Sequence, residues 1–559
     1  MNSVGCDILL VMKKNSPTDI NHLSKAQLLE LMAKQEQSYQ LKISSLNKLV
    51  QEMVEQLRLQ RHQKFGASSE KIDPDKQPDL FNEAEVEGGD QNDADDLNAE
   101  GLVEEDPSPV EASPAPDLTD AQATAPKTRG RRPLPANLSR NRVEYDLDDD
   151  TKTCVCGCQK TKIGEEISER LEYIPAKMVV EQQVRFKYAC KQCEGELAIA
   201  DVPPSMIPKS NAGPDLLAFV TTAKFQDALP LYRQNTIFKR LGIDLPRNTL
   251  ANWILKLSDR VDPIIEQFEQ AIRHAPVILM DETSVQVNKE PGKAASSNSY
   301  MWIRRGLAPP DGQARYGQDI TLYHYSPNRS GQTATELLAH CQGALMTDGY
   351  AGYYQAVTLH KLQHAQCWAH ARRKFVEAEK ALPKGKKSPA ITELLSLIQK
   401  LYGIEKSLKG QCADAKKITR QTKSKPVLSK LKSTLEKKIL TVTPKSKLGI
   451  AIAYTLKHWA GLTTYLDNGH LPIDNNGAEN GIRPFVIGRK NWLFADTQKG
   501  AEASAKLYSI IETSKANGHD VYHYLSYLFK HLPQAKTEED IKALLPWNVD
   551  PIVRDGVVV

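Results

Sequence analysis

A multidomain α/β chain is the fold class this sequence predicts, and three observations carry the prediction. Residues 275–380 alternate short apolar runs with amphipathic helical segments. Residues 67–127 are rich in Asp, Glu, Pro, Ala and Ser and poor in large apolar side chains, the composition of a disordered acidic linker. Five of the nine cysteines crowd into residues 154–193, which sets a small unit apart. At about 150 residues per domain, 559 residues predict three or four units, enough to bury a core without disulfides. No apolar run approaches the roughly 18 residues a membrane span needs. The apolar patch Ile8–Met12 precedes Lys13 and Lys14, the reverse of the order in a secretory signal. A cytoplasmic protein without membrane contact is expected.

From the N-terminus, residues 20–66 read as one long coiled-coil helix. Ile43, Leu46, Val50, Met53 and Leu57 recur at spacings of 3, 4, 3 and 4, although Glu36 breaks the register upstream. Such a seam serves either oligomerisation or docking on the chain's own domain. The acidic linker follows; residues 70–120 hold 18 Asp and Glu against two Lys. It ends in a basic tract, Lys127–Pro133, suited to a minor groove or simply a flexible tail. Residues 140–200 are the expected metal-binding β unit, with strand-like alternation over 177–189 leading to Cys190. Cys190 and Cys193 have the spacing of a zinc knuckle, and two of Cys154, Cys156 and Cys158 would complete a closed, structural Zn²⁺ site of four thiolates. Spacing leaves open which two of those three bind. Cys6, Cys341, Cys367 and Cys412 read as packing residues.

Residues 210–262 are predicted helical. A helix from Leu231 closed by Gly242, then a second opened near Pro246, make a helix-turn-helix shape. Arg247, Asn248 and Asn252 on the second helix are the candidates to meet bases or phosphates, though helix pairs of this kind are also common as plain structure.

Next come strands at Val277–Met280, Tyr300–Arg304 and Ile320–Tyr325, a helix at Thr333–His340, a strand at Ala344–Thr347, a helix near Tyr350–Ala356, a strand at Leu362–Cys367 and a helix through Phe375. The order β-β-β-α-β-α-β-α is that of a ribonuclease-H-like core, here placed at 270–495. It is interrupted by a helical, basic insertion at 385–465; residues 384–447 hold 17 Lys and Arg against four acids. That block suits either a polyanion or a solvated Lys-rich face. A C-terminal helical element is expected at 500–545.

Two acids stand out by position. Asp281 directly follows Val277–Met280, and Asp348 directly follows Ala344–Thr347. An acid at the end of a buried strand reaches past the sheet edge, and two such strands side by side would bring both carboxylates to one spot. Their repulsion then calls for a cation, and few carboxylates with room for water suit Mg²⁺. A third acid, Glu479, falls on the first turns of a helix capped by Asp474, Asn475 or Asn476, and shares a face with Arg483 four residues on. The tail of that helix, Gly488–Phe494, interleaves Arg489 and Lys490 with Trp492 and Phe494, a pattern for grasping a nucleic-acid strand or for core packing. His370 reads as a helix-capping or core histidine.

Several motifs in this order carry a resemblance that spans most of the chain. They are Arg61–Lys71, Arg132–Leu138, Leu229–Gln234, Asp281–Thr283, Asp348–Tyr350, Cys367–Phe375, Asn475–Phe494 and Glu512–Gly518. Together the chain resembles the DDE transposases of the insertion sequence 66 family. The resemblance implies that Asp281, Asp348 and Glu479 form the catalytic triad, holding two Mg²⁺ ions. It implies cleavage of double-stranded DNA at the ends of a mobile element, then attack of the freed 3′-hydroxyl on target DNA, with no covalent protein–DNA intermediate. Arg483 and Lys490 are then candidates to neutralise phosphate. It also implies a zinc-binding segment at the cysteine cluster and small accessory proteins as partners. Pairing of element ends calls for a homo-oligomer, with the 43–57 seam as the contact. Two other functions stay in view: a DNA-binding repressor without catalysis, and a nuclease that cuts without joining. Metal-dependent cutting separates the first from a transposase, and joined products separate the second.

Overall fold

The computed structural model describes residues 24–65, 178–188, 198–308, 319–383 and 385–550. The chain divides into two compact units, Met1–Gly89 with Pro203–Ile552, and Asp90–Val202 with Val553–Val559. The acidic linker, the basic tract, Cys6 and the clustered Cys154, Cys156, Cys158, Cys190 and Cys193 lie outside the described residues.

The first helix, α1 (Lys25–Phe65), is 41 residues long. Its heptad seam faces solvent: Leu46 is 59% and Leu57 58% exposed, and Ile43, Val50 and Met53 are exposed as well. A different face meets the body, through buried Leu59 and through the Glu55 carboxylate, which accepts the backbone N–H of Lys447 at 3.4 Å. Docking and an open seam therefore coexist on one helix.

In the second unit, β1 (Lys187–Tyr188) pairs antiparallel with β2 (Ala198–Ile199). The strand expected over 177–189 is cut down to β1, and Val179, Val180, Val184 and Phe186 are exposed. Alternation alone forms no strand when the partner is two residues long and covers neither face.

Four helices lead into the sheet of the larger unit: α2 (Pro214–Phe225), α3 (Leu231–Arg240), α4 (Arg247–Arg260) and α5 (Asp262–Ile272). Gly242 turns the chain after α3 at φ +81°, a conformation that excludes most side chains, and Pro246 stands just before α4. Leu250, Trp253, Ile254 and Leu257 bury one face of α4, leaving Arg247, Asn248 and Asn252 exposed on the other.

The sheet contains β3 (Val277–Lys289), β4 (Asn298–Leu307), β5 (Ile320–Ser326), β6 (Ala344–Thr347) and β7 (Gln363–Gln366) in the order β5-β4-β3-β6-β7. The first three strands pair antiparallel, whereas β6 and β7 run parallel to β3. Helix α6 (Gly331–Leu337) precedes β6, α7 (Tyr353–His360) precedes β7, and α8 (Trp368–Lys380) follows it. Val277–Met280 are at most 1% exposed, the uniform burial of a strand covered on both faces. The expected end of this strand at Met280 is corrected, because β4 pairs with it from Val277 to Gln286 and the later segment Ala495–Thr497 pairs with it at Val287 and Lys289. The helix expected at Thr333–His340 spans Gly331–Leu337, started by the Ser330 hydroxyl accepting the Thr333 N–H at 3.2 Å.

The insertion is helical: α9 (Pro389–Ser407), α10 (Ala413–Thr419), a π turn at Arg420–Ser424, α11 (Lys425–Ile439), α12 (Lys447–Lys457) and α13 (Trp459–Thr463). Arg420, 2% exposed, ties it together. Its guanidinium pairs with Glu405 at 2.6 Å and donates to the Tyr465 and Asn468 carbonyls at 3.0 Å. Cys412, expected to pack, is exposed at the start of α10 because the residues of that short helix bury none of their side chains. The chain returns through α14 (Asn476–Trp492) and β8 (Ala495–Thr497), which pairs with the far end of β3. It then runs through α15 (Gln498–Ala516), α16 (Val521–His531) and α17 (Glu538–Ala543).

Helix α15 closes the outer edge of β5. The Ser509 hydroxyl accepts the Tyr323 N–H at 2.8 Å, and the Thr513 hydroxyl accepts the Thr321 N–H and donates to the Thr321 carbonyl, both at 3.0 Å. Side-chain hydroxyls thus satisfy backbone groups that would otherwise invite another strand.

Candidate active site

Strand register brings the two aspartates together. Val277, Ile278 and Leu279 pair with Ala344, Leu345 and Met346, partners 67 residues apart, which is also the separation of Asp281 and Asp348. Carrying that parallel ladder two residues further sets Asp281 opposite Asp348, where β6 has ended and β3 continues. Local bonds orient both side chains. The Glu282 N–H donates to Asp281 Oδ1 at 2.9 Å, and the Tyr350 N–H donates to Asp348 Oδ1 at 2.9 Å.

Glu479 enters from the first turn of α14, its side chain 8% exposed. Asn475, fully buried before this helix, fixes the approach. Its Nδ2 donates to the Met280 carbonyl at 3.0 Å, and its N–H donates to Cys367 Sγ at 3.2 Å. The helix start is served by Asp474, whose carboxylate accepts from the Asn476 N–H at 3.2 Å. Two glycines let α14 lie close on the sheet: a Cβ on Gly477 would meet Leu279 Cδ1 at 2.4 Å, and one on Gly481 would meet Ile303 Cδ1 at 2.7 Å.

The electrostatics follow from this crowding. Burial pushes the Asp281 carboxyl well above the usual range, and the charges of Glu282, Glu479 and Asp348 push it further. Burial also raises Glu282, against the pull of Arg329. Arg329 pairs with Glu282 at 2.5 Å, stands 4.0 Å from Asp348 and stacks 4.1 Å above the Tyr350 ring. Burial opposes the charge of its guanidinium, but Glu282 and Asp348 outweigh burial and hold its pKa above the ordinary value. Tyr353 donates its hydroxyl to the other oxygen of Glu282.

On the far side, His370 Nδ1 and Arg373 Nη2 each stand 3.6 Å from a Glu479 oxygen. Burial, with Arg373 and Lys374 nearby, pushes the His370 imidazole down to about 3, so it is neutral at physiological pH. Cys367 is fully buried and its thiol is pushed well up by that burial. Besides packing, it accepts the Asn475 N–H.

Around these carboxylates the structure sorts the other residues singled out by the sequence. Arg489 reaches back to β3, donating to the Thr283 and Ser284 hydroxyls at 3.4 and 3.2 Å, and burial lowers its pKa. Arg483 is half-buried on α14 and Lys490 is exposed. Trp492 packs edge-on against Phe485 at 5.4 Å, with Lys224 Nζ 5.7 Å from its ring. Arg247, Asn248 and Asn252 belong to α4, apart from the carboxylate cluster in sequence and exposed. Sequence reasoning missed Glu282, Arg329, Arg373 and Asn475 as neighbours of the cluster and set His370 aside. All but Arg329 lay within motifs that carried the resemblance, so only Arg329 gave no signal.

Comparison with known proteins adds what geometry does not. Residues 209–503, a little over half of the chain, match the family described as Transposase IS66 family. The chain belongs to this family. Residues 509–547 match the IS66 C-terminal element, and residues 52–143 match a segment described as Transposase C of IS166 homeodomain. Residues 151–194 match the zinc-finger binding domain of transposase IS66, which supports zinc binding by the cysteine-rich segment. Among relatives, the uncharacterised protein y4jD of Sinorhizobium fredii (strain NBRC 101917 / NGR234) is 32% identical over 442 residues, covering 75% of this chain and 83% of the relative. The uncharacterised protein y4qI of the same strain is 30% identical over 451 residues, covering 78% and 80%. The family read from the motifs is thus the family found. Among the described residues, no helix is long and apolar enough to cross a membrane.

Proposed function

We propose that this IS66 family member binds the ends of its mobile element and catalyses Mg²⁺-dependent cleavage and strand transfer of double-stranded DNA, with Asp281, Asp348 and Glu479 as the catalytic triad. One observation carries the proposal: carboxylates from β3, β6 and α14 converge closely enough for Glu479 and Asp348 to raise the Asp281 carboxyl. Four acids in one largely buried place, Glu282 included, outnumber the two guanidiniums shown facing them, Arg329 and Arg373, so the donor set fits hard divalent ions. The strand order, three antiparallel strands followed by two parallel ones flanked by helices, supports a ribonuclease-H-like core.

Asp281, Asp348 and Glu479 would hold the ions. Bound there, two Mg²⁺ supply activation of the attacking oxygen and stabilisation of the leaving oxygen in an in-line displacement. The remaining residues act on the substrate directly. Arg489 offers a guanidinium with hydroxyl partners two and three residues beyond Asp281, a place to receive a phosphate next to the bond being broken. Arg329 is locked on one edge by Glu282 and on one face by Tyr350, which orients its remaining donors beside Asp348. Arg247, Asn248 and Asn252 present α4 for duplex recognition, Arg483 and Lys490 supply positive charge along α14, and the exposed α1 seam is the contact for a second copy. The thiolates of residues 154–193 would hold a structural Zn²⁺. Small accessory proteins of the element remain candidate partners.

The test is a cleavage and joining assay with purified protein, Mg²⁺ and DNA carrying the native element ends. Asp281→Ala, Asp348→Ala and Glu479→Ala should each abolish both steps while leaving end binding in place. Cutting that survives in one variant removes that residue from the triad, and cutting without joining shifts the function to a nuclease.

A further inference from the structure

We infer that His370 supplies a nitrogen ligand, through Nδ1, to the divalent ion held by Glu479, so that this end of the site is a mixed nitrogen–oxygen metal site. The inference rests on the triad reading and adds a residue to it. Three observations on the imidazole lead there.

His370 is held rigidly. It lies in the first turn of α8, one turn from Cys367, whose N–H donates to the Thr347 carbonyl at 3.1 Å and whose Sγ accepts the Asn475 N–H at 3.2 Å. Trp368 adds two anchors, its N–H to the Ile473 carbonyl at 3.2 Å and its Nε1–H to the Leu462 carbonyl at 2.7 Å. The start of α8 is therefore tied both to the strand that leads into Asp348 and to the segment that leads into Glu479.

Its Nδ1 is buried and has no hydrogen-bond partner among the described residues. A buried polar atom left in that state is destabilising unless something meets it. What it faces is Glu479 Oε1 at 3.6 Å. That is too long for a hydrogen bond. It is close to the separation of two ligands on one ion: metal–ligand bonds of about 2.0–2.2 Å put neighbouring donors roughly 3–3.5 Å apart. The third observation is chemical. Cys367 Sγ, His370 and Glu479 place their donor atoms within 4.8 Å of one another; the thiol has the Asn475 N–H as a partner, whereas the imidazole Nδ1 is a neutral nitrogen donor with no hydrogen bond among the described residues. An imidazole beside carboxylates favours Mn²⁺ or Co²⁺ over Mg²⁺ relative to an all-oxygen site.

The experiment uses full-length protein with ¹⁵N-labelled histidine, loaded with Mn²⁺ and measured by electron spin-echo modulation. The expected result is coupling of Mn²⁺ to one histidine nitrogen in the wild type, lost in His370→Gln and kept in His364→Gln. Mn²⁺ affinity of His370→Gln should fall at least about tenfold, with a smaller loss for Mg²⁺. The cysteine-rich segment 151–194 contains no histidine, so such coupling cannot come from there. Bound Mn²⁺ without histidine coupling in the wild type overturns the inference and leaves the triad standing, and this arm needs no variant to fold. Coupling that persists in His370→Gln overturns it equally. Asp281→Asn protein that binds Mn²⁺ as the wild type does overturns the triad reading and this inference with it.

Discussion

At the residue scale, the cations around the carboxylate cluster differ in what holds them. Arg329 has a carboxylate partner and Arg373 stands beside one, whereas the partners shown for Arg489 are two hydroxyls, so burial works against its charge. A guanidinium kept in that state is stabilised when an anion arrives. Arg489→Met should therefore leave the melting temperature unchanged or higher, yet weaken binding evenly across DNA sequences and lower the salt dependence by about one counterion. Lost stability with an unchanged salt slope would assign Arg489 to the interior instead. His364 gives a pH prediction. Its Nε2 lies 2.8 Å from the Thr347 hydroxyl, and burial, with His458 nearby, pushes the imidazole from 6.5 down to about 4. Between those values the unfolded chain takes up a proton that the folded protein refuses, so stability falls as pH falls from 6.5 to 4. His364→Gln should flatten that limb in a series of thermal melts.

At the scale of elements, the placement of α14 decides whether Glu479 reaches Asp281. Asn475 bolts the start of the helix to β3, while Gly477 and Gly481 let its axis approach side chains that are themselves fully buried. Gly481→Ala puts a methyl group against Ile303 Cδ1 and should cost about 1–3 kcal/mol, with a larger loss of cleavage because Glu479 moves with the helix. Ile303→Val deletes that one carbon, so Gly481→Ala with Ile303→Val should recover both stability and cleavage. Failure of the double variant to recover would mean that the helix is not seated by this contact. The position of α15 on β5 works by the same logic with different chemistry, hydroxyls replacing a missing strand.

For the larger unit as a whole, the exposed seam on α1 is the feature most in need of a partner. Five apolar side chains at heptad spacing stay open although Leu59 on another face is buried against the body. Large apolar residues lined up in solvent predict self-association. Val50→Asp should shift the protein to monomer in sedimentation equilibrium without lowering its melting temperature, and cleavage that requires two paired ends should fall. An unchanged oligomer would place the contact elsewhere.

Periodicity and motif order already determined the family, the succession of strands and helices and the helix pair ending in α4, and they singled out three carboxylates, because each of these is written in neighbouring residues. The strand predicted over 177–189 shrank to Lys187–Tyr188 because the partner that pairs with it is two residues long, and the one predicted to stop at Met280 ran on because β4 pairs with it past that point. Neither partner can be seen from the segment itself. The placing of Asp281 against Asp348 was decided by the parallel register of β3 with β6, and the company of Glu479 by helix α8, more than 100 residues away. That is why His370 and Arg373, which no helical spacing could suggest, face the carboxylate. Local patterns choose which groups a protein carries, and only packing between distant segments decides which of them meet, since the free energy of each contact depends on burial that no single segment provides.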